Sequence, residues 1–208
     1  RPWAGPAWVT CGLALLAVFA VTLVISPRFL YGSDMLQRPI APFTLLMMWA
    51  GAVWLGTLYL SGRTRYTPSL LVWIAGCGLL MRLLLFPSTP ILEDDYYRYL
   101  WEGGMAAHGY SPYAHTPIAV VLGHASVPEP LAALGASSGT VLERVNHPHL
   151  STVYPPVAQA VFALAHLIAP WKLWGLKLIY LIADAAALVL LLRILGDLRR
   201  SPLWASVW

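Results

Sequence analysis

Between Ala7 and Ile25 the chain carries no charged residue, and Ser26-Pro27 closes the run. A helix of that length reaches across a hydrocarbon core of about 30 Å. Lipid offers no water to unpaired backbone groups, so such a segment has to be helical. Comparable runs cover Ile40 to Leu60, Pro68 to Phe86, Tyr154-Pro155-Pro156 to about Ile168, and Leu173 to Leu195. Only 11% of the 208 residues are charged and 59% are hydrophobic, against roughly a quarter charged in a soluble domain. The expectation is an all-α polytopic membrane protein.

The same composition excludes several functions. The net charge of +4 is spread over short connectors, without a basic run able to track a nucleic-acid backbone, so no nucleic acid is expected and anionic membrane lipids are the counter-charge. Cys11 and Cys77 each fall inside an apolar run, which suggests neither a disulfide framework nor a thiolate metal site. No Gly-rich phosphate loop marks a kinase or dehydrogenase. The first run lacks a small-residue cleavage site and is followed by further spans, so it reads as an anchor rather than a removed signal. The chain opens at Arg1 without methionine and closes on Trp204-Ala205-Ser206-Val207-Trp208, which resembles the start of another span; the expectation is a fragment.

Three parts follow: residues 1–86 with three spans, residues 87–155 as a long non-spanning loop, and residues 156–208 with two further spans and the start of a sixth. Gly51 and Gly56 in the second span suit a close helix neighbour. Arg82, near the end of the third, either snorkels to the interface or meets an anionic lipid phosphate. Asp184 lies near mid-membrane in the fifth, with Lys177 two turns earlier as its nearest partner on that helix. If the amino end is cytoplasmic, the loop is extracytoplasmic and Arg63 and Arg65 lie inside, as the positive-inside rule prefers. Lys172 agrees with that orientation, whereas Arg199 and Arg200 do not.

The loop concentrates the chemistry. Thr89 and Pro90 suit the start of a helix, Glu93, Asp94 and Asp95 favour its positive end, and Gly109 can close it. Leu92, Tyr96, Tyr99, Leu100, Gly103 and Ala107 recur at helical spacing, which predicts an amphipathic helix lying on the membrane surface. Asp94 and Asp95 point about 100° apart on such a helix. Arg98 lies three residues after Asp95 and four before Glu102, making a ladder of charge. Spacing alone is compatible with a solvated, ion-paired face; the setting, at a membrane edge among aromatics, is compatible with a carboxylate acting as general base on a hydroxyl.

The run Asp95-Tyr96-Tyr97-Arg98-Tyr99-Leu100-Trp101-Glu102-Gly103, then Gly109-Tyr110-Ser111-Pro112-Tyr113, resembles the first extracytoplasmic loop of bacterial polyprenol-phosphate-sugar-dependent mannosyltransferases of the GT-C superfamily. Asn146-His147-Pro148-His149 through Thr152-Val153-Tyr154-Pro155-Pro156-Val157-Ala158-Gln159 is similar to the return of that family's chain into the membrane. The resemblance covers roughly Thr89 to Arg200. It implies a GT-C-like helix bundle in a bacterial inner or plasma membrane that moves a sugar from a polyprenyl-phosphate donor to a glycan or lipid-linked acceptor, inverting the anomeric centre outside the cytoplasm. It maps the catalytic acids onto Asp94 and Asp95 and makes Tyr154 a wall of the site; Glu102 stands where relatives often have Asp.

Arg98, Tyr99, Glu102, Arg82, His147, His149 and Tyr154 complete the expected substrate-binding set, with Arg98, Arg82 and the histidines as cations for a departing phosphate. No cofactor is called for: Asp94 and Asp95 can hold a divalent ion, which a lipid-phosphate donor does not require. A transporter or lipid-binding scaffold, lined by Arg82 and Asp184, is the alternative.

Overall fold

The computed structural model describes residues 5–208, apart from the Met35 side chain; Arg1, at which the sequence opens, lies outside them. All regular structure among these residues is helical. The main helices are α1 (Gly5–Ile25), α2 (Ile40–Ser61), α3 (Pro68–Leu85), α4 (Tyr96–Ala107), α5 (Pro117–Val121), α6 (Glu129–Ser137), α7 (Pro156–Ile168) and α8 (Leu173–Asp197), with short 3-10 turns between them. The chain divides into two compact units, Arg1–Ile91 with Leu181–Trp208, and Leu92–Tyr180.

Four helices, α1, α2, α3 and α8, are long and apolar enough to cross a membrane. α2 and α8 bury almost nothing within the protein, and Leu45, Met48, Leu55, Ile182, Val189 and Leu190 lie exposed along them. Apolar faces so extensive need a lipid solvent, and the chain is an all-α membrane protein. α7 differs from the expectation of a fourth span: its 13 residues rise only about 20 Å. The expected start of a sixth span is a six-residue 3-10 helix, Pro202–Val207.

In the first unit, α1 packs on α2 and α3. The Trp8 indole donates to Thr64 Oγ1 at 3.2 Å, and Trp73 donates to the Trp8 carbonyl at 3.1 Å. Close approach occurs at Gly12, where a Cβ would stand 2.8 Å from the Trp73 indole, and at Gly78, where it would stand 2.6 Å from the Trp208 ring. Gly51 and Gly56, which the sequence offered for this purpose, have no neighbour within 4 Å of an added Cβ. Asp184 pairs with Arg82 of α3, a partner from another helix than the one carrying Lys177. A charge inside an apolar segment needs this kind of pairing, and the Trp208 ring also covers the Arg82 guanidinium at 3.6 Å.

The second unit is built round α4. Tyr97, Leu100, Trp101 and Met105 enter one core with Val120 of α5, Leu131 and Leu134 of α6, and Val141, Leu142 and Val145. On its other side α4 meets α7: a Cβ on Gly103 would run into the Phe162 carbonyl, and one on Gly104 into the Trp171 ring. Gly103 thus lets an aromatic-rich helix come within backbone distance of its neighbour, and Gly104 makes room for the Trp171 ring. This corrects the expectation of a helix lying on a surface, because every residue from Tyr97 to Met105 except Tyr99 is buried. It also corrects the start, since Leu92 has a left-handed backbone (φ 58°) that interrupts any helix begun at Pro90. The helix begins only at Tyr96.

Candidate active site

Delaying α4 to Tyr96 leaves Glu93, Asp94 and Asp95 on the approach to its amino end. Glu93 Oε1 accepts from the Asp95 N–H at 2.7 Å, which folds the acidic run back on itself. Asp95 occupies the N-cap position with helical backbone, and its side chain makes no capping bond. Both aspartates therefore sit near the amino end of α4, with side chains directed to other partners.

Those partners come from the segment before α7. The Asn146 amide donates to Asp94 Oδ1 at 2.5 Å. The Tyr154 hydroxyl donates to Asp95 Oδ2 at 3.2 Å and stands 3.5 Å from the Tyr99 hydroxyl. Tyr99 stacks on Phe162, with ring centres 4.8 Å apart, and meets Tyr154 edge-on at 5.1 Å. Tyr154 is fixed at both ends of its own peptide unit: its N–H donates to Thr152 Oγ1 at 3.1 Å, and its carbonyl accepts from the Tyr113 hydroxyl at 2.6 Å. Burial, followed by the neighbouring Tyr99, pushes the Tyr154 phenol well above its usual range, and burial raises that of Tyr99 as well. Both remain protonated around neutrality, so Tyr154 presents Asp95 with a neutral donor.

Arg98 and Glu102 are placed differently from the expected substrate contacts. Both are buried, and they pair at 3.2 Å. Arg98 further donates to the carbonyls of Asn146, His147 and Leu150. Glu102 Oε2 accepts from Thr152 at 2.7 Å and from Gln159 at 2.6 Å. The ladder with Asp95 is replaced by a buried network tying α4 to the 146–152 segment and α7, so Arg98 is committed to the framework. Arg82 belongs to the other unit, in the ion pair described above. No family model, curated protein or solved structure matches the chain.

His147 and His149 are exposed on the same loop, their rings 6.2 Å apart. Among the described residues no three His, Cys, Asp or Glu side chains converge as a metal centre requires. The site thus brings together Asp94, Asp95, Tyr99 and Tyr154, with the histidines on the Asn146 loop. Sequence reasoning passed over Asn146 as a contact, although it stands in the quoted Asn-His-Pro-His motif, and passed over Thr152 and Gln159 as partners of Glu102. Arg144, which donates to the Tyr97 hydroxyl at 2.9 Å, carried no signal in its own neighbourhood.

Proposed function

We propose that the protein is a multi-pass membrane glycosyltransferase that moves a sugar, mannose by the resemblance, from a polyprenyl-phosphate donor to a hydroxyl of a glycan or lipid-linked acceptor on the extracytoplasmic side. The observation that carries this reading is the pair of adjacent carboxylates, Asp94 and Asp95, each held by a neutral donor at the amino end of a buried helix. Held this way a carboxylate keeps its orientation toward a hydroxyl, which a general base needs.

The acceptor hydroxyl gives its proton to Asp94 as its oxygen bonds to the anomeric carbon. The bond from that carbon to the phosphate oxygen breaks, and its electron pair leaves with the polyprenyl phosphate. Attack from the side opposite the leaving group inverts the centre. Tyr99 and Tyr154 form a wall suited to a sugar face, and His147 and His149 are the basic side chains on the adjoining loop.

Topology supports the sidedness. With α7 too short to cross, an amino end in the cytoplasm gives four crossings, and the connector after α8 returns inside. Arg199 and Arg200 then join Arg63 and Arg65 on the cytoplasmic side, in line with the positive-inside rule, while Lys172, which five crossings put inside, moves outside.

Purified protein in liposomes, given polyprenyl-phosphate mannose and a mannoside acceptor, is expected to form the new glycoside and release polyprenyl phosphate. Turnover with a nucleotide sugar in the absence of the lipid donor would overturn the donor class. A second reading, transport or lipid binding, is favoured by an apolar cavity of about 560 Å³ in the first unit, with Arg82 on its lining. It predicts no glycoside in the same assay.

A further inference from the structure

We infer that Asn146 is a positioning residue for Asp94, set in place by Arg98; this rests on the reading of Asp94 as the base. Asn146 lies on an irregular segment between the 3-10 turn Leu142–Arg144 and α7. Its neighbour His147 holds a left-handed backbone, φ 47°, a conformation uncommon outside glycine that histidine adopts more readily than most residues.

Arg98 anchors this turn. Its rigid fork of N–H donors takes the carbonyls of Asn146, His147 at 2.9 Å and Leu150 at 3.2 Å, so one buried guanidinium gathers the whole turn. Glu102 orients that guanidinium and is oriented in turn by Thr152 and Gln159. Toward Asp94 the outlet of this network is the Asn146 amide, which reaches Oδ1 at 2.5 Å.

The choice of donor is informative. A lysine or arginine in that place would neutralise the carboxylate, whereas a neutral amide fixes its rotation and leaves the charge intact. Near Asp94 stand Glu93 and Asp95 on its own segment and Tyr96 and Tyr97 at the start of α4, with Arg144 from the 3-10 turn acting on the same tyrosine pair. Arg144 holds the Tyr97 hydroxyl and ring, at 2.9 Å and 5.5 Å, and the Asn146 amide is the donor on Asp94 Oδ1. Asn146 is therefore the group assigned to aim Asp94 at the acceptor.

The test is a double-mutant cycle in liposomes on Asp94→Asn, Asn146→Ala and the double variant, with polyprenyl-phosphate mannose as donor and octyl mannoside as acceptor. Misaiming a reacting group typically costs about 10²-fold, so Asn146→Ala is expected to lower kcat by about ten- to a hundredfold with KM for the donor unchanged. In the Asp94→Asn background it should cost nothing more, because two residues acting as a unit are not additive. Asn146→Leu, which deletes the donor and keeps the bulk, should repeat the result if the alanine variant fails to fold. Independently of turnover, the infrared difference between wild type and Asp94→Asn isolates the Asp94 carboxylate stretch, and this band should move in Asn146→Ala. An equal loss in both backgrounds, or an unmoved band, overturns the inference. Wild-type turnover in Asp94→Asn would instead sink the base assignment itself, and the same set of proteins reports it.

Discussion

Arg98 and Glu102 show how far one residue's meaning depends on what surrounds it. Four apart on a helix, they form the kind of pair that is worth a few tenths of a kcal/mol in water. In this fold Glu102 is 2% exposed and carries the only ion pair to Arg98 among the described residues. Removing one member of a buried pair strands the other charge, which costs about 3–5 kcal/mol. Glu102→Ala is therefore expected to lower the unfolding free energy by that amount in a denaturant titration of the purified protein. A loss under about 1 kcal/mol would return the pair to a solvated face. The pairing itself was legible from spacing. Its consequence was not, because Thr152 and Gln159, which complete the shell of Glu102, lie 50 and 57 residues further along. Asp94 with Asn146 and Asp95 with Tyr154 are equally distant pairs, so the acids could be singled out while their partners could not.

The elements divide along the same line. Spans α1, α2, α3 and α8 are legible to within a residue or two because length, lack of charge and flanking prolines all act locally. α4 was legible as a helix but neither its start nor its depth was. The left-handed Leu92 follows from no local preference for that residue, and a polar stripe satisfied by buried partners has the same periodicity as one satisfied by water. α7 has the apolar composition of a span without the length. The contact that seats α4 against α7 makes a prediction at this scale. Gly103→Ala drives a methyl into the Phe162 carbonyl, a backbone atom that cannot rotate away. Overpacking of this kind costs about 1–3 kcal/mol, and the thermal midpoint should fall accordingly. Gly51→Ala, with no neighbour within 4 Å of the added methyl, should leave the midpoint unchanged or raised; an equal fall in both variants would contradict the close packing of α4 on α7.

At the scale of the whole molecule, the chain combines apolar spans with a folded unit that holds its own core and both candidate acids. Three spans precede that unit, so the side of the amino end decides which side it faces. In a Cys11→Ala, Cys77→Ala background, a cysteine at the exposed Ser126 should react with an impermeant thiol reagent in intact cells, while one at the exposed Tyr66 should not. Asp197→Cys separates the alternatives: four crossings protect it, five expose it. Labelling at Tyr66 and protection at Ser126 would reverse the orientation and with it the extracytoplasmic reaction.

The central claim is that the two carboxylates carry a sugar transfer from a lipid phosphate, and one measurement tests it most directly. Wild-type protein and the Asp94→Asn, Asp95→Asn double variant, reconstituted at matched density into liposomes, are given labelled polyprenyl-phosphate mannose and a mannoside acceptor. Glycoside formation by the wild type, reduced in the double variant by at least the roughly 10²–10⁴-fold that loss of a general base costs while the variant still inserts and folds, is the predicted result. Undiminished turnover in the double variant would contradict the account.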